Sequence, residues 1–245
     1  MIEFIKQHAD VIRAYQQPAI PWAYKNGNTL KACVQYAKER GALAGIEYQP
    51  MTRQDVVNYF TQDLYRGFIA TMLWGHKTWG FKTVVDSDKN DVIKKLNNVK
   101  TFLIQGEIRN AFVYLYSNET SIEKVGPSFI TKLLYFMSKA FAPQNTPQPL
   151  ILDSHMIVVH CALLLDEYHS GHELYKWRDS SGIVWYHDTN DGVTDVYMDY
   201  ITRLNNIAET IYTTSENLEA FLFSLHPANL LSFIYQEVFI QRAII

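Results

Sequence analysis

The chain has only two cysteines in 245 residues, Cys33 and Cys161, and no Cys-x-x-Cys pair. That excludes a disulfide scaffold and a structural zinc site of the usual spacing. Both thiols are expected to act as small buried hydrophobes. No apolar run approaches the ~20 residues of a membrane span. The opening MIEFIKQHADVIRAY mixes charge into helical spacing, without the apolar block and cleavage site of a signal peptide. The expected location is cytoplasmic, with no membrane partner. Internal repeats and low-complexity tracts are absent as well. His155, His160, Cys161, His169, His172 and His187 fall within 33 residues, but no pair has the HExxH spacing of a zinc enzyme. Neither a metal nor another cofactor is expected.

What is present is an ordinary globular composition, 48% apolar and 19% charged, in a chain long enough for one large domain or two small ones. The net charge of -3 argues against a uniformly basic nucleic-acid binder. The charge is uneven, however. Residues 76–140 carry ten Lys/Arg against six Asp/Glu, and the remainder twelve against nineteen. One basic segment can present a positive face to phosphates; the alternative is chance clustering on solvated helices.

Apolar periodicity predicts helices at about 3–17, 29–40, 53–73, 89–98, 101–117, 127–142, 154–167, 194–211, 215–225 and 228–242. Thr120 with Glu123, and Thr213 with Glu216, have capping-box spacing; Asp55 and Asp88 suit first turns or N-caps. APQNTPQP (142–149) is a loop, because its prolines remove backbone donors. ELYKWRDSSGIVWYHDTNDG is the one stretch that does not read as helix. Aromatic runs flanking DSSG predict a small β-hairpin near 173–188 or an irregular excursion. The expected architecture is all-α: a single domain, 1–245, in two helical lobes around a cleft, with an N-terminal lobe at about 1–100.

Two stretches carry chemistry. In SIEKVGPSFITKLLYFM (121–137), Gly126 is expected to take a backbone conformation that a side chain would obstruct, and Pro127 fits a first helical turn. The amides from Ser128 onward then point out of a helix N-terminus, which seats a phosphate. Phe129, Leu133, Phe136, Met137 and Ala140 share a core face; Ser128, Lys132, Tyr135 and Lys139 share a second stripe. Lys132 therefore stands one turn from the phosphate seat, unless it is simply a solvated lysine. In PLILDSHMIVVHCALLL (149–165), a buried-looking run leads to Asp153 at a helix start. Asp153 is either a plain N-cap or a rigidly held carboxylate able to stabilise a positive centre. His155 lies beside it. TMLWGHKTWGF (71–81) offers Trp74, Trp79 and Phe81 around two glycines, as core or as a base-stacking platform.

VGPSFITKLLYFM, followed after a proline-rich loop by PLILDSHM, resembles the helix-hairpin-helix DNA glycosylases of base excision repair, and among them the 8-oxoguanine DNA glycosylase branch. VYMDYITRLNNIAETI and ENLEAFLFSL are similar to the closing helices of these proteins. The resemblance spans about Ser117 to Leu225. It implies a hairpin and catalytic region at about 117–167 and closing helices at about 193–242. The family's essential aspartate falls on Asp153, and its DNA-gripping turn on Lys124, Val125, Gly126, Pro127 and Ser128. Lys124 replaces the first glycine of that turn, and Ser128 stands where the family places its nucleophilic lysine. Lys132, one helical turn further, is expected to supply the amine; otherwise the enzyme is monofunctional and uses water. An attacking amine must be neutral, so burial or a cationic neighbour would have to lower its ordinary pKa near ~10.4. The implied partner is double-stranded DNA, from which a damaged or modified base is flipped and excised. An oxidised purine would mean repair; a hypermodified pyrimidine of viral DNA would mean defence. A reading from another class is a catalytically silent DNA-binding protein that keeps the fold.

Overall fold

The computed structural model describes residues 1–18, 27–44, 46, 50–75, 80–144, 146, 148–167 and 190–225. Among these residues the chain is all-α, as the periodicity predicts, and no β-strand occurs. In chain order the helices are α1 (Ile2–Gln7), α2 (Ala9–Ala14), α3 (Gly27–Glu39), α4 (Arg53–Gln62), α5 (Leu64–Trp74) and α6 (Phe81–Asp86). They are followed by α7 (Lys89–Ile104), α8 (Ile108–Tyr116), α9 (Pro127–Phe141), α10 (Ser154–Glu167), α11 (Asn190–Thr210) and α12 (Ser215–Ser224). The hairpin expected near 173–188, the helix expected at 228–242 and Trp79 lie outside the described residues. No described helix is long and apolar enough to cross a membrane.

Side-chain chemistry at the helix ends explains where the boundaries depart from expectation. The single helix expected at 53–73 breaks at Asp63, whose carboxylate accepts from the Arg66 amide at 2.7 Å and starts α5. Asp55 is the far half of a capping box with Thr52. Asp88 caps α7 as expected, accepting from the Asn90 and Asp91 amides. α7 runs through the gap expected at 99–100 and ends before Gly106, which is left-handed at φ 77°. Thr120 starts no helix; its hydroxyl donates to the Tyr114 carbonyl instead. α12 is capped by Thr214, one residue later than expected.

The chain divides into two compact units, Pro18–Leu150 and a second made of Met1–Gln17 with Ile151–Ile245. In Pro18–Leu150, α9 packs against α4, α5, α7 and α8. With neighbours on all these sides, its residues Ile130–Ser138 are buried without interruption. Each of Leu133, Leu134 and Phe136 contributes about 2 kcal/mol by leaving water. The stripe of Ser128, Lys132, Tyr135 and Lys139 is therefore no solvated face: Lys132 and Tyr135 are buried and Lys139 is exposed. In the other unit, α11 and α12 pack together, and α12 also meets α2 and α10. Phe221 gathers Phe4 and Tyr15 around it, and Arg13 donates to the Ile211 carbonyl at 2.7 Å.

Candidate functional site

The turn before α9 is closed by the Val125 amide, which donates to the Ile122 carbonyl at 3.0 Å. Ile122 and Val125 are buried and anchor it. Lys124, the third residue of this turn, is left-handed at φ 63°, a conformation that favours glycine. Gly126 is not: its φ of -88° and ψ of 179° are ordinary extended backbone, and a Cβ built there would meet nothing within 4 Å. The expected strain at Gly126 is thus corrected. The position that needs freedom is Lys124, where the resembled turn has its first glycine. Gly80, itself left-handed at φ 68°, makes room for it: a Cβ on Gly80 would come within 2.8 Å of Lys124 Cβ. Pro127 opens α9 as expected. The Ser128 amide follows it in the first turn, where backbone donors lack intrahelical acceptors.

One turn into α9, Lys132 is 5% exposed, yet its amine keeps polar company. Its Nζ donates to Ser128 Oγ at 3.1 Å and lies 3.4 Å from the Ser128 carbonyl oxygen. It also lies 5.4 Å from the centre of the Phe129 ring. Gly75 permits this packing, because a Cβ there would come within 2.7 Å of the Phe129 ring and 3.0 Å of Lys132 Cδ. The residue at the resembled lysine position and the lysine displaced by one turn are thus hydrogen-bonded to each other. Trp74, just before Gly75, is buried edge-on against Phe136 at 5.1 Å. The Arg53 guanidinium lies 5.8 Å from the Trp74 ring and 4.8 Å from that of Tyr135. The Trp74 indole N–H has no hydrogen-bond acceptor among the described residues. Phe81 is fully buried at the start of α6.

Asp153 and His155 belong to the second unit. Asp153 Oδ1 accepts from the backbone amides of His155 at 3.1 Å and Met156 at 3.2 Å, so it caps α10. The positive end of the helix complements its charge. The run that leads to it, Leu150–Leu152, is buried, and the Tyr200 hydroxyl of α11 donates to the Ile151 carbonyl at 3.0 Å. Asp153 is half-buried at the end of this buried, non-helical run. The His155 ring lies 5.2 Å from that of Phe223. Sequence reasoning noted the two glycines of the Trp-Gly pairs, Gly75 and Gly80, but not the close packing each permits, and it missed Tyr200, which nothing in the pattern marked.

Residues 8–223 match the family described as "Putative 8-oxoguanine DNA glycosylase OGG-like protein". No curated protein and no solved structure matches the chain. The family match takes in the turn, α9, Asp153, α10 and α11, and the chain belongs to the 8-oxoguanine DNA glycosylase OGG-like family.

Proposed function

We propose that the protein is a DNA glycosylase that flips a damaged or modified base out of double-stranded DNA and cleaves its N-glycosidic bond. The substrate is an oxidised purine or a hypermodified base. Family membership over residues 8–223 carries this reading. The left-handed Lys124 and the open face of Gly126 support a grip on the DNA backbone at the turn. Here the amides from Ser128 and the Lys124 ammonium take a phosphate, which positions the duplex without reading sequence. Asp153, held by two amides, stabilises the positive charge that develops on the sugar as the base departs. Lys132, as a neutral amine, attacks C1′ as the bond to the base breaks; the base leaves with the bonding pair and takes up the proton that Nζ sheds, and the C1′–O4′ bond then breaks toward O4′, which is protonated from solvent, to leave an iminium on Nζ. Ser128, hydrogen-bonded to that amine, keeps it aimed.

The test is base release from duplexes carrying 8-oxoguanine, uracil, alkylated or hypermodified bases, read as strand breaks after alkali. Release is expected from at least one duplex, with a loss of roughly 10²–10³-fold in Asp153→Asn. Borohydride is expected to trap a covalent protein–DNA adduct with the wild type and not with Lys132→Ala. Release without any trapping would make water the nucleophile. DNA binding with no release from any duplex would leave a catalytically silent binder and end the glycosylase reading.

A further inference from the structure

Resting on that reading, we infer that Lys95 is a positioning residue for the DNA-gripping turn and not one of its phosphate ligands. Lys95 lies in the basic segment whose charge points toward DNA, but the fold turns it inward. Its Nζ donates to the Ser121 carbonyl at 2.9 Å and pairs with Asp91 Oδ2 at 2.7 Å. The side chain is 18% exposed, against 39% for Lys124, whose own pairing with Glu123 is looser at 3.9 Å. An ammonium held between a carbonyl and a carboxylate is already neutralised, and offering it to a phosphate would break both contacts.

The segment that Lys95 holds leads directly into the turn. Residues 117–126 form no helix, so their carbonyls cannot find partners in a regular ladder. The Ser121 amide donates to the Ser117 carbonyl at 2.8 Å, and Lys95 supplies the donor for the Ser121 carbonyl itself. Ile122 follows at once and begins the turn that puts Lys124 in its left-handed conformation. Such a conformation persists only where the surroundings over-determine it. Lys95 from α7 is one of those surroundings, and Gly80 is another. Without the Lys95 donor, the lead-in relaxes, and Lys124 and the α9 amides lose their common aim.

The experiment compares Lys95→Met and Lys124→Met by fluorescence anisotropy on an unmodified labelled duplex over a series of salt concentrations. Lys124→Met is expected to lower the slope of log affinity against log salt by about one, as loss of a phosphate contact does. Lys95→Met is expected to bind about tenfold more weakly with the slope unchanged, and Lys95→Arg to restore affinity. Wild-type affinity in Lys95→Met, or a slope lowered by about one, overturns the inference. If Lys95→Met does not fold, Lys95→Gln serves instead, with amide exchange at Val125 as a second reading. Faster exchange that Lys95→Arg reverses supports the inference; unchanged exchange overturns it. A wild type that neither binds DNA nor releases a base fails the glycosylase reading, whereas an active wild type beside an indifferent Lys95→Met fails only the role of Lys95.

Discussion

His160 is 1% exposed in α10, and burial pushes its imidazole down to about 4. The neighbouring Arg203 pushes the same way, and Asp199, 3.5 Å from Nε2, opposes both. At neutral pH the ring is uncharged, so this contact is no ion pair; Arg203 supplies the cation, with Nε 2.6 Å from Asp199 Oδ2. Because the folded value lies below the unfolded 6.5, the unfolded chain binds the extra proton first. The stability contribution is complete above pH 6.5 and is lost as the pH falls toward 4. The expected loss is up to about 3 kcal/mol over that window. His160→Leu is expected to flatten that part of a denaturation-versus-pH curve. An unchanged slope would mean that the ring is hydrated in the folded state. At this scale the sequence was legible where a residue's role is local. Asp153, Asp88 and Pro127 stand at helix starts because their chemistry belongs there. Lys124 was illegible as the strained residue, because the one visible glycine stood two positions on, at Gly126.

Between elements, α4 and α5 come close at Gly67. A Cβ built there would lie 2.3 Å from Phe60 Cγ. Gly67→Ala adds about 1 kcal/mol of helix propensity, yet it must displace a ring that is 1% exposed. Overpacking is expected to win, with a net loss of about 1–3 kcal/mol in a thermal melt. A raised melting temperature would show that Phe60 has room to move. Helix identity was readable from periodicity, and helix ends much less so. The break at Asp63 depends on an acid winning an amide from its own chain, and apolar spacing does not register that competition. Likewise α9 reads as two-faced, but four neighbouring helices leave its middle no wet side. Whether a lysine on such a helix is solvated or enclosed depends on how many partners surround it, and spacing within the helix does not carry that.

For the whole molecule, the family and the all-α class were legible because two short motifs occur in the right order on a strongly periodic chain. Which residues make up each unit depends on which ends meet, and apolar spacing does not carry that. Pro18–Leu150 is continuous in sequence and has its own buried centre in α9. A fragment of these residues is expected to be helical and to unfold cooperatively in urea. A non-cooperative slope would show that its core is not self-sufficient.

The other unit draws on both ends of the chain, and this bears on synthesis. Beyond their local contacts, Phe4, Arg13 and Tyr15 have distant partners in α12 and the turn before it, Phe221 for the two rings and the Ile211 carbonyl for Arg13. As the polypeptide leaves the ribosome, α1 and α2 lack these distant contacts until the middle unit, α11 and α12 have been made. The continuous unit Pro18–Leu150 can therefore be complete before α1 and α2 find the distant contacts that bury them.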